Sequence, residues 1–111
     1  MDQLNRMREL VRVEDEAEMR VILMGEGPDG SLVLEERTDG ELTLAAYGNL
    51  TCVRRVAVPQ GACSAEEVAA FFGEGEPFLS DFQDGLDARG IAYSFAMTTG
   101  NDIALRVADR V

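Results

Sequence analysis

A chain of 111 residues has the length of one domain and buries enough surface to hold a core without disulfide or metal staples. Its 21 acidic and 10 basic residues leave a net charge of −11; every basic residue is arginine, and lysine, histidine and tryptophan are absent. That composition excludes histidine acid–base chemistry, lysine Schiff bases and histidine metal ligation, and it leaves no basic footprint for nucleic acid. With 46% hydrophobic residues the chain is expected to fold. No apolar run approaches the ~20 residues of a membrane span. The start, MDQLNRMREL, lacks the apolar stretch of a signal peptide, so a soluble cytoplasmic protein is expected.

In chain order, residues 2–12 are predicted as a helix capped by Asp2, with Leu4, Met7, Leu10 and Val11 on one face. VEDEAE (13–18) breaks the apolar pattern and either extends that helix or forms an acidic turn. MRVILM (19–24) reads as a strand buried on both faces. GPDGS (27–31) has the Pro-Asp-Gly chemistry of a tight turn. SLVLEER and ELTLAAY are predicted to form a hairpin around Thr38-Asp39-Gly40, with Arg37 opposite Glu41. That register sets Leu32 and Leu34 on one face with Leu42, Leu44 and Ala46.

TCVRRVAV (51–58) reads as a fourth strand, ended by Pro59, with Cys52, Val56 and Val58 on one face and Val53 and Ala57 on the other. Helices are predicted over 64–72 and 77–89, joined by GEGE. The second has Pro77 at its first position, the stripe Phe78, Leu79, Phe82 and Leu86, and Gly90 as its stop. IAYSFAM and DIALRVA close the chain as two alternating strands. Ile91, Tyr93, Phe95 and Met97 share a face with Ile103, Leu105 and Val107 if Met97 pairs with Ile103 and the turn lies within TTGND. The sum is a single α+β domain over 1–111. Its antiparallel sheet combines a four-strand meander and a C-terminal hairpin, with the helices packed on one face.

Cys63 immediately precedes the cap of a capping box, Ser64-Ala65-Glu66-Glu67, and Val68 is the fourth helical residue, which is the arrangement of a hydrophobic staple. A helix start can lower a thiol pKa. Glu66 and Glu67 oppose that, and no histidine or lysine is at hand as a base, so Cys63 reads as packing. A disulfide to Cys52 runs against the expected compartment, and two cysteines without histidine are half a zinc site. No metal or cofactor is expected.

Arg54 and Arg55 are adjacent in a strand, so they point to opposite faces, each toward carboxylates on neighbouring strands. Asp81, Asp84 and Asp87 recur every three residues opposite the apolar stripe of the second helix, after Glu74 and Glu76. Read blandly, these acids are a solvated face. Read functionally, together with an exposed Arg54 or Arg55, they are the candidate partner-binding residues of an acidic docking face for a basic protein. Those aspartates also exclude a DNA-reading helix, and DFQDGLD and VEDEAE lack the spacing of a calcium loop. GEGPDG and GEGEP lack the spacing of phosphate loops.

The function these features point to is a small acidic, non-catalytic interaction module of the immunity, antitoxin or inhibitor kind. It would bind a basic or hydrophobic protein partner, and a homodimer is compatible with it. One alternative is a small enzyme using carboxylates, Tyr93 or a cysteine, with Glu35, Glu36, Asp102 and Tyr93 as the groups to line a pocket. Another is an export-chaperone-like or structural subunit of a larger assembly. The acid excess equally fits a salt-adapted or high-GC source.

Overall fold

The computed structural model describes residues 5–99 and 106–108. Six strands form one sheet in the order of the chain: β1 (Asn5–Glu14), β2 (Glu18–Glu26), β3 (Leu32–Gly40), β4 (Thr51–Val58), β5 (Ser94–Thr99) and β6 (Arg106–Ala108), every neighbouring pair antiparallel. Helix α1 (Glu41–Tyr47) joins β3 to β4, and α2 (Ala65–Phe72) and α3 (Leu79–Ala88) join β4 to β5. The expected α+β class, with an antiparallel sheet and helices on one face, is the architecture observed.

Strand alternation builds the core on a single face. Ile22, Met24, Leu34, Val56 and Val58 meet Val68 and Phe72 of α2 and Leu79, Phe82 and Leu86 of α3, all buried. An aromatic cluster closes the helix layer, with the rings of Phe71 and Phe72 edge-on at 5.0 Å. Ser64 accepts the Glu67 amide and Glu67 accepts the Ser64 amide, so the capping box forms as read. The turn at 27–31 also forms, with Asp29 accepting the backbone and side chain of Ser31.

Several elements differ from expectation. Residues 5–14 are a strand and not a helix. Two β-bulge irregularities interrupt the pairing of β1 with β2, between Asn5 and Arg8 and between Glu9 and Val11. A bulge turns consecutive residues toward the same side, and Leu10 and Val11 both pack on the core. That produces an i, i+3, i+4 apolar spacing in an edge strand. Leu4 and Asp2 lie outside the described residues.

ELTLAAY is a helix, not a strand, so the predicted hairpin does not exist. Arg37 stands opposite Val21 on one side and Val53 on the other. Pro77 lies outside α3, whose first residue is Leu79. Met97 pairs with Arg106 in place of Ile103, and Val107 faces Ala96 in the ladder. The helix-free face also carries buried Val21 and Val33. Ile103, Leu105 and the expected turn residues Gly100, Asn101 and Asp102 lie outside the described residues.

The helix-free face holds a buried carboxylate. Glu35 is 2% exposed and accepts hydrogen bonds from Arg55 Nη2 at 2.6 Å and from Arg37 Nε. Burial pushes its pKa up, but the hydrogen bonds and charges of Arg55 and Arg37 more than reverse this, leaving it below the ordinary glutamate range. A carboxyl with a depressed folded-state pKa stabilises the fold above its unfolded value, ~4.3, and loses that contribution as pH falls through the folded value. Glu35→Gln is therefore expected to be less stable than the parent at neutral pH, with the gap narrowing steadily below about pH 4.3. Urea unfolding of both proteins at a series of pH values checks this, and a gap that widens toward acid would contradict it.

Candidate functional site

Toward the α1 end of the sheet, the core face turns from apolar to charged. Along β2, Arg20 follows Ile22 on the same side; along β3, Glu36 follows Leu34; along β4, Arg54 follows Val56. The register sets Ile22, Glu36 and Arg54 side by side. The result is an Arg–Glu–Arg cluster at the bottom of a cleft of about 330 Å³.

Glu36 is 2% exposed, and its Oε2 accepts the Leu79 amide at 3.0 Å. Leu79 is the first residue of α3, whose N-cap position is held by Phe78, a side chain with no acceptor. The sheet thus supplies the acceptor that the N-cap side chain lacks, while Asp81, in the first turn, accepts the Phe78 amide at 2.9 Å. Arg20 Nη1 lies 3.6 Å from Glu36 Oε2 and is otherwise spent on backbone. Its two terminal nitrogens donate to the carbonyls of Pro77 and Glu76 at 2.8 and 2.7 Å. This grip holds Glu76, the one described non-glycine residue at positive φ (48°). The Arg20 guanidinium also stacks 4.1 Å from the Phe78 ring centroid.

Arg54 is differently placed. Its Nη1 is 3.7 Å from Glu36 Oε1, its Nη2 is 3.5 Å from Gln83 Oε1, and its Nε is buried without a hydrogen-bond partner. Charge-assisted contacts are normally ~2.7–2.9 Å; Arg20 makes two below 2.9 Å and Arg55 makes at least one.

α1 forms the opposite wall. Gly40 offers no side chain for a cap, and Glu18 of β2 does the work from the adjacent strand. Its Oε1 accepts the Leu42 amide at 3.0 Å, and its Oε2 accepts the Thr43 hydroxyl. Asp15 accepts the amides of Ala17 and Glu18 at 2.8 and 2.9 Å. Both rim acids thereby hold backbone amides, and Glu18 holds the Thr43 hydroxyl as well. Thr43 is the buried residue of α1. Leu42, at 69% exposure, and Tyr47, at 39%, stand in solvent across the cleft from Phe78, at 53%.

Of the residues singled out in the sequence, Arg54 lines this cleft and Arg55 lies on the other face against Glu35. Both meet a carboxylate of β3, as the strand geometry implied. Asp81, Asp84, Asp87, Glu74 and Glu76 are exposed and do not line the cleft, although Asp81 and Glu76 brace its wall through Phe78 and Arg20. Glu35 and Glu36 sit on opposite faces, so they form no catalytic pair. Asp102 is outside the described residues. Tyr93 is buried, which pushes its pKa up; Gln83 draws it down, while Asp87 and Asp84 add to the rise.

Cys63 packs against the core that contains Val68, as a staple should. Burial raises its thiol pKa; Arg89 lowers it and Glu67 raises it further. Cys52 is likewise raised, first by burial. Both cysteines are free, and neither lines the cleft. The residues the sequence reading passed over are Arg20, Leu42, Tyr47 and Phe78 as cleft walls. One signal was available: an arginine inside MRVILM, a strand otherwise buried on both faces. No helix among the described residues is long and apolar enough to cross a membrane. No family model matches the chain, neither a curated protein nor a solved structure matches it, and no relative therefore lends the cleft a function.

Proposed function

We propose that the chain is a non-catalytic interaction module that docks a protein partner at the cleft between α1 and Phe78. The observation that carries this reading is the apolar rim. Leu42, Tyr47 and Phe78 are large and exposed, and they gather around one concavity. Leu44 and Leu50 extend the exposed apolar surface along and beyond α1. Clustered exposed apolar side chains around a concavity are characteristic of binding surfaces. The net charge of −11 favours encounter with a basic partner. Asp84 and Asp87 of α3 contribute to that field without touching the cleft. Two cysteines that remain free support a cytoplasmic setting.

The test compares the tagged protein with a Leu42→Asp/Phe78→Ser variant as bait in the host lysate. Both positions are exposed, so the variant is expected to stay folded and to lose no more than the ~0.5–1 kcal/mol of the Phe78 stack on Arg20. A specific partner is expected to saturate the parent, to fall at least about tenfold on the variant, and to weaken between about 0.1 and 0.5 M potassium chloride. A partner held equally by both baits would refute this docking surface.

A further inference from the structure

We infer that the cleft takes the free C-terminal carboxylate of a partner chain that ends in an apolar residue, with the carboxylate on Arg54 and the apolar side chain between Leu42 and Phe78. This inference rests on the docking role proposed above and specifies its occupant.

Charge comes first. The floor holds two arginines and one carboxylate, an excess of one positive charge in a partly desolvated place. One carboxylate cannot balance two guanidiniums, and Glu36 Oε2 also holds the Leu79 amide. The committed rim acids, Glu18 and Asp15, have their carboxylates on nearby amides and the Thr43 hydroxyl. One incoming carboxylate brings the floor to neutrality, while Glu18 and Asp15 keep their negative charges at the rim, turned to those donors.

Donor geometry comes second. Arg20 spends its fork on two carbonyls, whereas the oxygens Arg54 meets are Gln83 Oε1 at 3.5 Å and Glu36 Oε1 at 3.7 Å, its guanidinium lies 5.4 Å from the Phe95 ring centroid, and its Nε is buried without a hydrogen-bond partner. The buried Nε is closed to an incoming group, so a carboxylate would meet the two terminal nitrogens, which can donate it two parallel N–H bonds.

Size and shape come third. A volume of about 330 Å³ lies at the low end of small-ligand sites, ~300–1,000 Å³, and suits a terminal residue or two better than a helix. Leu42, Tyr47, Phe78 and Val13 line the cleft together with Thr38, Thr43 and the rim acids, so an apolar group carrying the carboxylate finds apolar side chains to pack on. A chain terminus supplies both parts on one residue. The long-range field of a protein at −11 opposes any anion. A preference for the acid therefore reports the local site and not the overall charge.

The experiment uses fluorescence anisotropy with two labelled decapeptides of serine and arginine ending in Leu-Leu, one with a free carboxylate and one with a carboxamide. The parent is expected to bind the acid at least about tenfold more tightly than the amide. Arg54→Gln is expected to bind the two alike, and Phe78→Ser to weaken both by a similar factor. Melting curves establish that each variant is folded, and the acid–amide comparison on the parent needs no variant at all. Equal binding of acid and amide by the parent would overturn the carboxylate while leaving the docking surface standing. Binding of neither would also overturn the inference, and lysate capture on the Leu42→Asp/Phe78→Ser variant then decides separately whether the cleft docks anything. An acid preference that survives Arg54→Gln would place the anion elsewhere and overturn it too.

Discussion

Gly40→Ala is expected to remove about 4 kcal/mol of stability, enough to leave much of the chain unfolded if its total lies in the usual range of ~5–15 kcal/mol. Two costs add. Gly40 has φ 141°, ψ −163°, a region open to glycine and strained for other residues by ~1–3 kcal/mol. The added methyl group also has no room: it would collide with the Ala17 carbonyl oxygen and stand 2.8 Å from Glu18 Cα. Overpacking of that kind costs a further ~1–3 kcal/mol. The backbone cannot easily step aside, because Gly40 donates to the Leu50 carbonyl at 2.8 Å and Glu41 to that of Ala17 at 2.9 Å. Gly48→Ala is the control. Gly48 also has positive φ, 78°, but nothing lies within 4 Å of the position its methyl group would take. Its cost is expected to stay near 1–2 kcal/mol, the strain alone. Urea midpoints of the two variants decide the matter, and equal losses would show that the close approach to Ala17 and Glu18 carries no energy.

Gly40 also shows how a correct signal can mislead. Its place after Thr38-Asp39 marks it as a special glycine, and it is one. The special conformation serves a close crossing of backbones and the start of α1, not the hairpin loop that Thr-Asp-Gly resembles. Seven residues of ELTLAAY fit strand alternation and helix equally well. Their content of Leu, Ala and Glu favours helix, but only the pairing of β3 with β4 decides it, and that pairing is not local. The misreading of β1 has another cause: its bulges put adjacent residues on one side, which imitates helical spacing. Some local chemical signals held, although Pro77 as a first helical residue did not. The Ser64 capping box, the Pro-Asp-Gly turn and the alternation of β4 all appear as read.

The cleft was legible only in fragments. The opposed faces of Arg54 and Arg55 follow from strand geometry alone, and so does the separation of Glu35 from Glu36. What no local pattern reveals is that register places Glu36 beside Arg54, with Arg20 one step along β2, or that α1 and Phe78 stand on either side of them. Exposed apolar residues are equally hard to see from sequence, because Leu42 and Tyr47 look like core until the helix that carries them is known to bury only Thr43.

Glu36→Leu is the second large effect expected, about 3–5 kcal/mol, the usual loss when one member of a buried ion cluster is removed and the others stay charged. Arg20 and Arg54 would face each other without a counter-ion, and the Leu79 amide would lose its acceptor at the start of α3. The triple variant Arg20→Met/Glu36→Leu/Arg54→Met should recover more than half of that loss, since an apolar replacement of a whole buried cluster is often neutral or better. Recovery should be incomplete, because Arg20 also holds the carbonyls of Glu76 and Pro77. A single variant costing under about 1 kcal/mol, or a triple variant no better than the single, would mean that the cluster is not coupled in the way its geometry implies. The two measurements together separate stability from recognition. If the triple variant folds well but no longer tells a terminal acid from its amide, then the charges at the end of an otherwise apolar face are there for the ligand. The sheet could have closed that end with apolar residues and lost little, as functional positions often depart from the most stable choice.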